Sequence, residues 1–127
     1  MAFGKLEREV MNVVWRLGRL SVRDVFETFD RRFAYTTLMT TLQRLHQKGL
    51  LNRHKEGRAY FYSPRISPLE LQQGIAKDLI EDLLDRSAHD VEPLLACIVD
   101  AVSEQDRAFL DELDRLIKDK KRKLQRT

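Results

Sequence analysis

The sequence predicts a mainly α-helical protein that contains one small β-hairpin and is divided into two halves. Apolar residues recur at helical spacing over most of the 127 residues. One segment near the middle of the chain instead carries β-favouring aromatics beside a glycine turn. Residues 1–66 hold 13 Lys/Arg and 6 Asp/Glu, net +7, whereas residues 67–127 hold 10 and 14, net −4. These observations predict a basic domain over residues 1–66 and an acidic helical domain over residues 67–127.

Length and composition limit the class of protein. A chain with 43% hydrophobic and 34% charged residues can bury a core, but it is too short for a large enzyme. No apolar run approaches the ~20 residues needed to cross a bilayer, and acidic residues stand where a signal peptide has its apolar stretch. We therefore expect a cytoplasmic protein. Cys97 cannot form an intramolecular disulfide, and its apolar neighbours predict a buried thiol.

The first 30 residues predict two helices. The first ends at Gly18, a common helix stop. Its apolar positions are Leu6, Val10, Val13, Val14 and Leu17. The second begins at a capping box formed by Ser21 and Asp24 and extends for about ten residues. Its apolar positions are Val22, Val25, Phe26 and Phe29.

The segment AYTTLMTTLQRLHQKG predicts a third helix that ends at Gly49. Leu38, Leu42 and Leu45 share a narrow stripe that faces the core, and Tyr35 is expected to pack beside it. The opposite face is rich in hydrogen-bonding groups and has no carboxylate. It comprises Thr36, Thr40, Gln43, Arg44 and Gln47, with Thr37 and Lys48 on its flank.

A hairpin follows the third helix. Residues 51–55 predict one strand, Glu56 and Gly57 the turn, and residues 58–63 a second strand that ends at Pro64. Tyr60 and Tyr62 are expected to pack the hairpin onto the helices, and Trp15 is expected in the core. Three helices followed by a hairpin form a winged helix-turn-helix.

The remainder of the chain predicts helices only. Ser67 and Glu70 cap a long helix that reaches about residue 85, apolar residues 91–102 mark a second, and Ser103 to Asp106 cap a third. Because three such helices bury little alone, we expect an α-helical dimerisation domain completed by a second copy. The basic tail, residues 118–127, is interpreted as a frayed, solvated end rather than a second binding site.

The acid-free face of the third helix predicts DNA binding. The major groove of B-DNA admits one α-helix, and threonine, glutamine and arginine can contact its bases and phosphates. The basic first half favours a polyanionic partner. The candidate DNA-binding residues are Thr36, Thr37, Thr40, Gln43 and Arg44 on this helix, Lys55 and Arg58 in the hairpin, and Arg23 in the second helix. In the alternative interpretation the threonines are only a polar surface, and Lys55 or Arg58 pairs with Glu56.

Motifs of enzymes are absent from the sequence. His46, His54 and His89 lack metal-ligand spacing, and no phosphate-binding glycine loop or nucleophile elbow occurs. We therefore expect no catalysis, metal or cofactor. The alternative function is a winged-helix protein-interaction module without sequence-specific DNA binding. Such a module should expose aromatic or aliphatic anchors on the third helix, and none is expected on its outer face.

Four segments, LEREVMNVVW, SVRDVFETF, AYTTLMTTLQRLHQKGLL and KEGRAYFYSP, resemble the penicillinase-repressor family of bacterial regulators, the BlaI/MecI type. The likeness in order and spacing covers residues 6–64. The second half is similar more loosely, through helix lengths and the segment SEQDRAFLDELDRLI. The resemblance implies a homodimer that binds a palindromic operator and represses genes for β-lactam resistance or a related stress response.

The resemblance also implies residue roles and a release mechanism. It puts Thr36, Thr37, Thr40 and Arg44 at the DNA, with Lys55 and Arg58 in the wing. It implies a membrane sensor peptidase that triggers cleavage in the dimerisation half. The sequence departs from the family at two points. The best-known members of the family are cleaved at an Asn-Phe bond, but Asn occurs here only at positions 12 and 52, so no cleavage bond can be carried over. The copper-responsive branch of the family carries a cysteine-rich metal motif near its end, whereas this chain has only Cys97.

Overall fold

The computed structural model describes residues 3–87 and 89–126. Within them the order of elements is α1 (Lys5–Leu17), β1 (Leu20–Ser21), α2 (Val22–Thr28), α3 (Tyr35–Gln47), β2 (Leu51–Glu56), β3 (Ala59–Pro64), α4 (Pro68–Arg86), α5 (Glu92–Gln105) and α6 (Ala108–Gln125). The predicted fold class, mainly α with a β-hairpin wing, is confirmed. Contacts divide the chain into two compact units, with the division between Leu79 and Ile80. The functional domains 1–66 and 67–127 stay a prediction.

Residues close in sequence determine the C-terminus of α1 and both ends of α2. Gly18 follows α1 with φ 79°, a left-handed conformation that glycine adopts readily. The capping box at α2 is present: Asp24 N donates to Ser21 Oγ at 3.3 Å, and Ser21 N donates to Asp24 Oδ2 at 2.8 Å. Helix α2 has seven residues rather than ten, because Asp30 and Arg31 just beyond it take positive φ values of 53° and 61°.

Helix α3 has the predicted core face. Leu38, Leu42 and Leu45 are fully buried. Thr41 is buried beside them, and its hydroxyl donates to the Thr37 carbonyl at 2.8 Å, so no polar group is left unsatisfied there. The helix packs against α1 and α2 through this face. Its opposite face is therefore left on the surface.

A three-stranded antiparallel sheet, in the order β1-β3-β2, closes the first unit. Glu56 pairs with Ala59, so the two-residue turn is Gly57-Arg58, one residue later than predicted. Gly57 has φ 61°, as the first turn position of such a hairpin requires. Strand β1 was not predicted, because two residues are too few to show an alternating pattern. We call β2 and β3, residues 51–64, the wing hairpin.

The core of the first unit joins the three helices to the sheet. Tyr62 is buried, as predicted, whereas Tyr60 is 41% exposed, so the prediction that it packs onto the helices is wrong. It lies two residues nearer the turn, beyond the edge of the core. Trp15 is half-buried against the core, and its Nε1 donates to the Ile66 carbonyl at 2.8 Å.

Helix starts in the second half were only partly predicted. At α4, Glu70 N donates to Ser67 Oγ at 3.1 Å and Ser67 N to Glu70 Oε1 at 3.3 Å, which confirms that cap. The predicted cap at Ser103 is wrong. Ser103 lies inside α5, and Asp106 begins α6 instead by accepting a hydrogen bond from Ala108 N at 2.9 Å. The extended backbone at Asp106 explains the break between the helices.

The basic tail is helical rather than frayed. Helix α6 continues to Gln125, and only Thr127 of the tail lies outside the described residues. Ion pairs one turn apart support it, including Lys118 with Asp114 at 2.8 Å and Arg122 with Asp119. Asp119 lies within this mainly cationic segment and supplies the negative partner of Arg122.

Helices α5 and α6 bury none of their described side chains in the single chain. Their exposed large apolar residues are Leu95, Val99, Phe109, Leu116, Ile117 and Leu124. Cys97 is exposed on α5, so the prediction of a buried thiol is wrong for the single chain. Of its apolar neighbours, Leu95 and Val99 are exposed, whereas Leu94 and Ile98 are half-buried. No helix in the described part of the chain is both long enough and apolar enough to cross a membrane.

Candidate nucleic-acid interface

The predicted DNA-binding residues all belong to the first unit and are all exposed. They are Thr36, Thr37, Thr40, Gln43 and Arg44 on α3, Arg23 on α2, Lys55 on β2, and Arg58 in the wing turn. The packing of α3 against α1 and α2 fixes which way these side chains point. Two grooves run along α3, and seven of the eight predicted residues line one or the other.

One groove lies between α3 and the start of α1. It has a volume of about 510 Å³ and is lined by Thr36, Thr37, Thr40, Thr41 and Arg44 together with residues 4–7. The carboxylate in this groove, Glu7, is paired with Lys48, whose Nζ lies 2.6 Å from Glu7 Oε2. The groove therefore offers hydroxyl groups and cations with its one acid neutralised.

The other groove lies between α3 and the wing hairpin. It has a volume of about 390 Å³, and Arg23, Gln43 and Arg58 contribute to its lining. These three predicted residues come from three different elements, and the sheet and α3 bring them together. Lys55 lines neither groove. It lies on β2 near the aromatic ring of Tyr60, with 5.7 Å between Nζ and the ring centroid.

Tyr35 and Met39 are exposed on the wing side of α3, at 46% and 37%. No anchor was expected on the outer face of α3, and these two residues are exposed beside that face rather than on it. Both residues lie at the edge of the core stripe, where α3 opens toward the wing groove that they line. Tyr35 packs edge-to-face against Phe26, with 5.8 Å between the ring centroids.

The wing's carboxylate is paired with neither of its predicted neighbours. Glu56 Oε1 lies 2.5 Å from Arg19 Nη2 and 3.7 Å from His54 Nε2. The hydrogen bond from Arg19 holds the pKa of Glu56 below its usual value, against the opposing effect of desolvation. Lys55 and Arg58 are consequently not engaged by Glu56.

Sequence reasoning missed several residues of these surfaces. Lys5 lines the α1 groove and Tyr60 lines the wing groove. Arg19 reaches the wing only because β1 pairs with β3, and the sequence carried no signal for β1. Lys5 is remote from α3 in the sequence, so only the packing of α1 against α3 could reveal it.

The exposed face of α3 carries the kinds of groups that bind nucleic acid. Helix α3 contains no Asp or Glu, and its exposed hydroxyl, amide and guanidinium groups can hydrogen-bond to base edges and phosphates. Across residues 3–87 and 89–126, no three His, Cys, Asp or Glu side chains are grouped to hold a metal ion. Three helices, a small sheet and an exposed third helix define a winged helix-turn-helix protein of the DNA-binding class.

The chain belongs to the penicillinase repressor family, whose model matches residues 3–119. The resemblance seen in the sequence is thereby confirmed, and the family is one of repressors rather than enzymes. The transcriptional regulator BlaI of Mycobacterium tuberculosis (strain ATCC 25618 / H37Rv) is 36% identical over 116 residues, 89% of this chain and 78% of that protein.

Other matches cover about half of the chain. The penicillinase repressor of Bacillus licheniformis is 39% identical over 62 residues, 47% of this chain, and the match spans about half, 48%, of that relative's length. The solution structure of the Bacillus licheniformis BlaI monomeric form in complex with the blaP half-operator is similar with a TM-score of 0.47 and 33% identity, over 55% of this chain and 88% of that one.

Proposed function

We propose that this protein is a homodimeric transcriptional repressor that binds a palindromic operator through α3 and the wing hairpin. The observation that carries the proposal is the exposed, acid-free face of α3 between two grooves that gather seven of the eight predicted residues. A net charge of +7 over residues 1–66 favours association with phosphates through release of counterions.

Each candidate residue has a role that matches its chemistry. Arg44 suits a bidentate contact to guanine and Gln43 one to adenine, while the threonine hydroxyls suit phosphates or base edges and their methyl groups suit thymine. Lys55 and Arg58 on the wing, and Arg23 on α2, suit phosphates. In this proposal α3 supplies sequence discrimination and the cations supply most of the salt-dependent affinity.

The second half, residues 67–127, is proposed to form the dimer. Its helices α5 and α6 bury no described side chain, and their exposed residues include Leu95, Phe109 and Leu116. A second copy would cover this apolar surface, and the two-fold axis of the dimer would match the symmetry of a palindrome. The net charge of −4 in this half disfavours contact with the same phosphates.

The regulated genes are proposed to serve β-lactam resistance or a related stress response, with the repressor acting in the cytoplasm. Family membership supports this, as does the name of the Bacillus licheniformis relative, a penicillinase repressor. A membrane sensor peptidase is proposed as the partner that ends repression. A purified sensor should shorten the chain and release it from DNA, and an intact chain after exposure to the activated sensor would contradict that partner.

One observation favours a second function, a protein-interaction module. Tyr35 and Met39 are exposed on α3 as possible anchors for a protein partner. In that case DNA affinity would not depend on sequence. The two functions therefore make opposite predictions in the same titration.

The test is a fluorescence anisotropy titration of the full chain with a duplex from its own promoter that carries an inverted repeat. A scrambled duplex of equal length and composition is the control, and both are measured at several salt concentrations. We expect a clear preference for the repeat and an affinity that falls steeply with salt. Equal affinity for both duplexes at every salt concentration would favour the interaction module.

A further inference from the structure

An ion-paired cluster lies at the wing, apart from the residues proposed to contact DNA. Glu56 is the only acidic residue of the wing hairpin, and its carboxylate lies 2.5 Å from the Arg19 guanidinium. That guanidinium also lies 4.2 Å from the centroid of the Phe61 ring. Arg19 directly precedes β1, and Phe61 on β3 pairs with Ser21 on β1. The cluster therefore connects the wing to the strand that anchors it.

The cations of the wing lie on the other side of the hairpin. Side chains alternate along a strand, so Arg53 and Lys55 share one face of β2, and Glu56 falls on the opposite face. Arg53 lies 4.5 Å and Lys55 5.7 Å from the Tyr60 ring centroid, and Tyr60 lines the groove beside α3. The cationic face thus turns toward α3, while the carboxylate and Arg19 lie behind it.

A carboxylate in this position works against a polyanionic ligand. Glu56 immediately precedes the turn at Gly57-Arg58, and with ~3.8 Å between consecutive Cα atoms its Cα lies no more than about 7.6 Å from that of Arg58. Charges separated by less than about 8–10 Å are incompletely screened at physiological salt. A phosphate close enough to contact Arg58 would therefore also be repelled by an unpaired Glu56.

We propose that Arg19 is a positioning residue for DNA binding: it cancels the charge of Glu56 and holds the wing through Glu56 and Phe61, without itself contacting DNA. The proposal rests on the proposed function. An arginine suits the task because its planar guanidinium can stack on an aromatic ring and donate to a carboxylate at the same time. The lowered pKa of Glu56, caused first by the hydrogen bond from Arg19, is consistent with a carboxylate that stays ionised and paired.

The test compares Arg19→Met, Glu56→Gln and the double variant. Methionine keeps an apolar stem over Phe61 but removes the charge. Arg86→Met is the matched control, because Arg86 is likewise ion-paired, with Asp82 at 3.1 Å, on α4 in the acidic half. Each full-length variant is titrated by anisotropy against the inverted-repeat duplex. Thermal unfolding checks that it folds, and Arg19→Lys serves as a second variant should Arg19→Met unfold.

Arg19→Met should weaken operator binding by about three- to tenfold, as expected for one uncompensated charge near the phosphates. Glu56→Gln should bind as tightly as the natural chain or more tightly, and the double variant should return to within about twofold of it, because no unpaired charge remains. Arg19→Lys keeps the charge but loses the planar guanidinium that stacks on the Phe61 ring. Its operator affinity should therefore lie between those of Arg19→Met and the natural chain. Arg86→Met should bind unchanged.

The salt dependence separates positioning from direct contact. If Arg19 acts only by cancelling Glu56, the slope of log affinity against log salt in the double variant matches that of the natural chain, whereas a lost phosphate contact reduces it by about one. A double variant as weak as Arg19→Met, or a double variant with a reduced slope, would overturn the proposal in favour of direct contact. An Arg19→Met variant that binds the inverted-repeat duplex as tightly as the natural chain would also overturn it. If the natural chain itself does not prefer the repeat over scrambled DNA, the proposed function has failed instead.

Discussion

Replacing Arg44 with alanine tests the centre of the proposed interface. Arg44 is exposed on α3 at the edge of the α1 groove and makes no ion pair with the described residues. Its guanidinium is therefore available to DNA without first breaking a contact within the protein. A bidentate arginine–guanine contact is worth about 1–3 kcal/mol of discrimination, so Arg44→Ala should weaken operator binding by about 5- to 150-fold.

The cost to folding is small and can be measured separately. Arg44 lies in the last turn of α3, where a cation interacts favourably with the helix dipole by about 0.3–1 kcal/mol. Arg44→Ala should lower the free energy of unfolding by no more than that amount. A larger loss in a urea titration would mean that weaker DNA binding reflects a damaged fold rather than a lost contact.

The assay separates base reading from charge. Arg44→Lys keeps the charge but loses the bidentate fork, so it should retain the salt slope while losing preference for the repeat over scrambled DNA. Arg16→Ala, a change at an exposed arginine in the last turn of α1, is the matched control and should bind unchanged. Unaltered operator affinity in Arg44→Ala, with the natural chain binding specifically, would refute the role assigned to Arg44.

Three other changes test the dimer, the core and the wing. Phe109→Glu with Leu116→Glu, on the exposed apolar side of α6, should shift sedimentation from dimer to monomer while α3 stays folded; a persistent dimer would contradict the proposed interface. Leu42→Ala removes a fully buried side chain and should lower the free energy of unfolding by about 2–5 kcal/mol, whereas the exposed control Gln47→Ala should change it by less than about 0.5 kcal/mol. Because the pKa of Glu56 is lowered from 4.5, its pairing stabilises the fold above that pH and is lost as the pH falls through the folded pKa. The difference in urea midpoint between the natural chain and Glu56→Gln should therefore shrink between pH 7 and strongly acidic conditions, and a difference that does not change with pH would contradict it.

Periodic and capping signals explain why most of the fold was predictable. Leu38, Leu42 and Leu45 recur at the helical period, so each successive turn again places a leucine on the same face. Ser21 and Asp24 specify a start through two reciprocal hydrogen bonds that are local in sequence. Such signals are complete within a few residues, and they correctly marked α1, α2, α3 and the start of α4.

The features that were missed depend on contacts distant in sequence. Strand β1 exists because Leu20 pairs with Tyr62, 42 positions later, and with it came the unforeseen partner of Glu56. Cys97 was misjudged because an apolar segment predicts burial without saying what buries it. Ser103 was mistaken for a cap because Asp106, three residues further, performs the same chemistry. The eight DNA-binding residues stay predictions, but their gathering along α3 required the tertiary packing.

The hydrogen bond from Trp15 to the Ile66 carbonyl allows the proposed DNA-contacting residues of the first unit to change without loss of this contact. It ties the segment that leaves the wing to α1, which is the helix of the first unit farthest in sequence from the wing turn. Substitutions on the exposed face of α3 or at Gly57-Arg58 leave this tie intact, since none of those residues takes part in it. A gene-regulatory surface built in this way can change to fit new DNA sequences over evolutionary time without altering the point at which the chain departs toward α4.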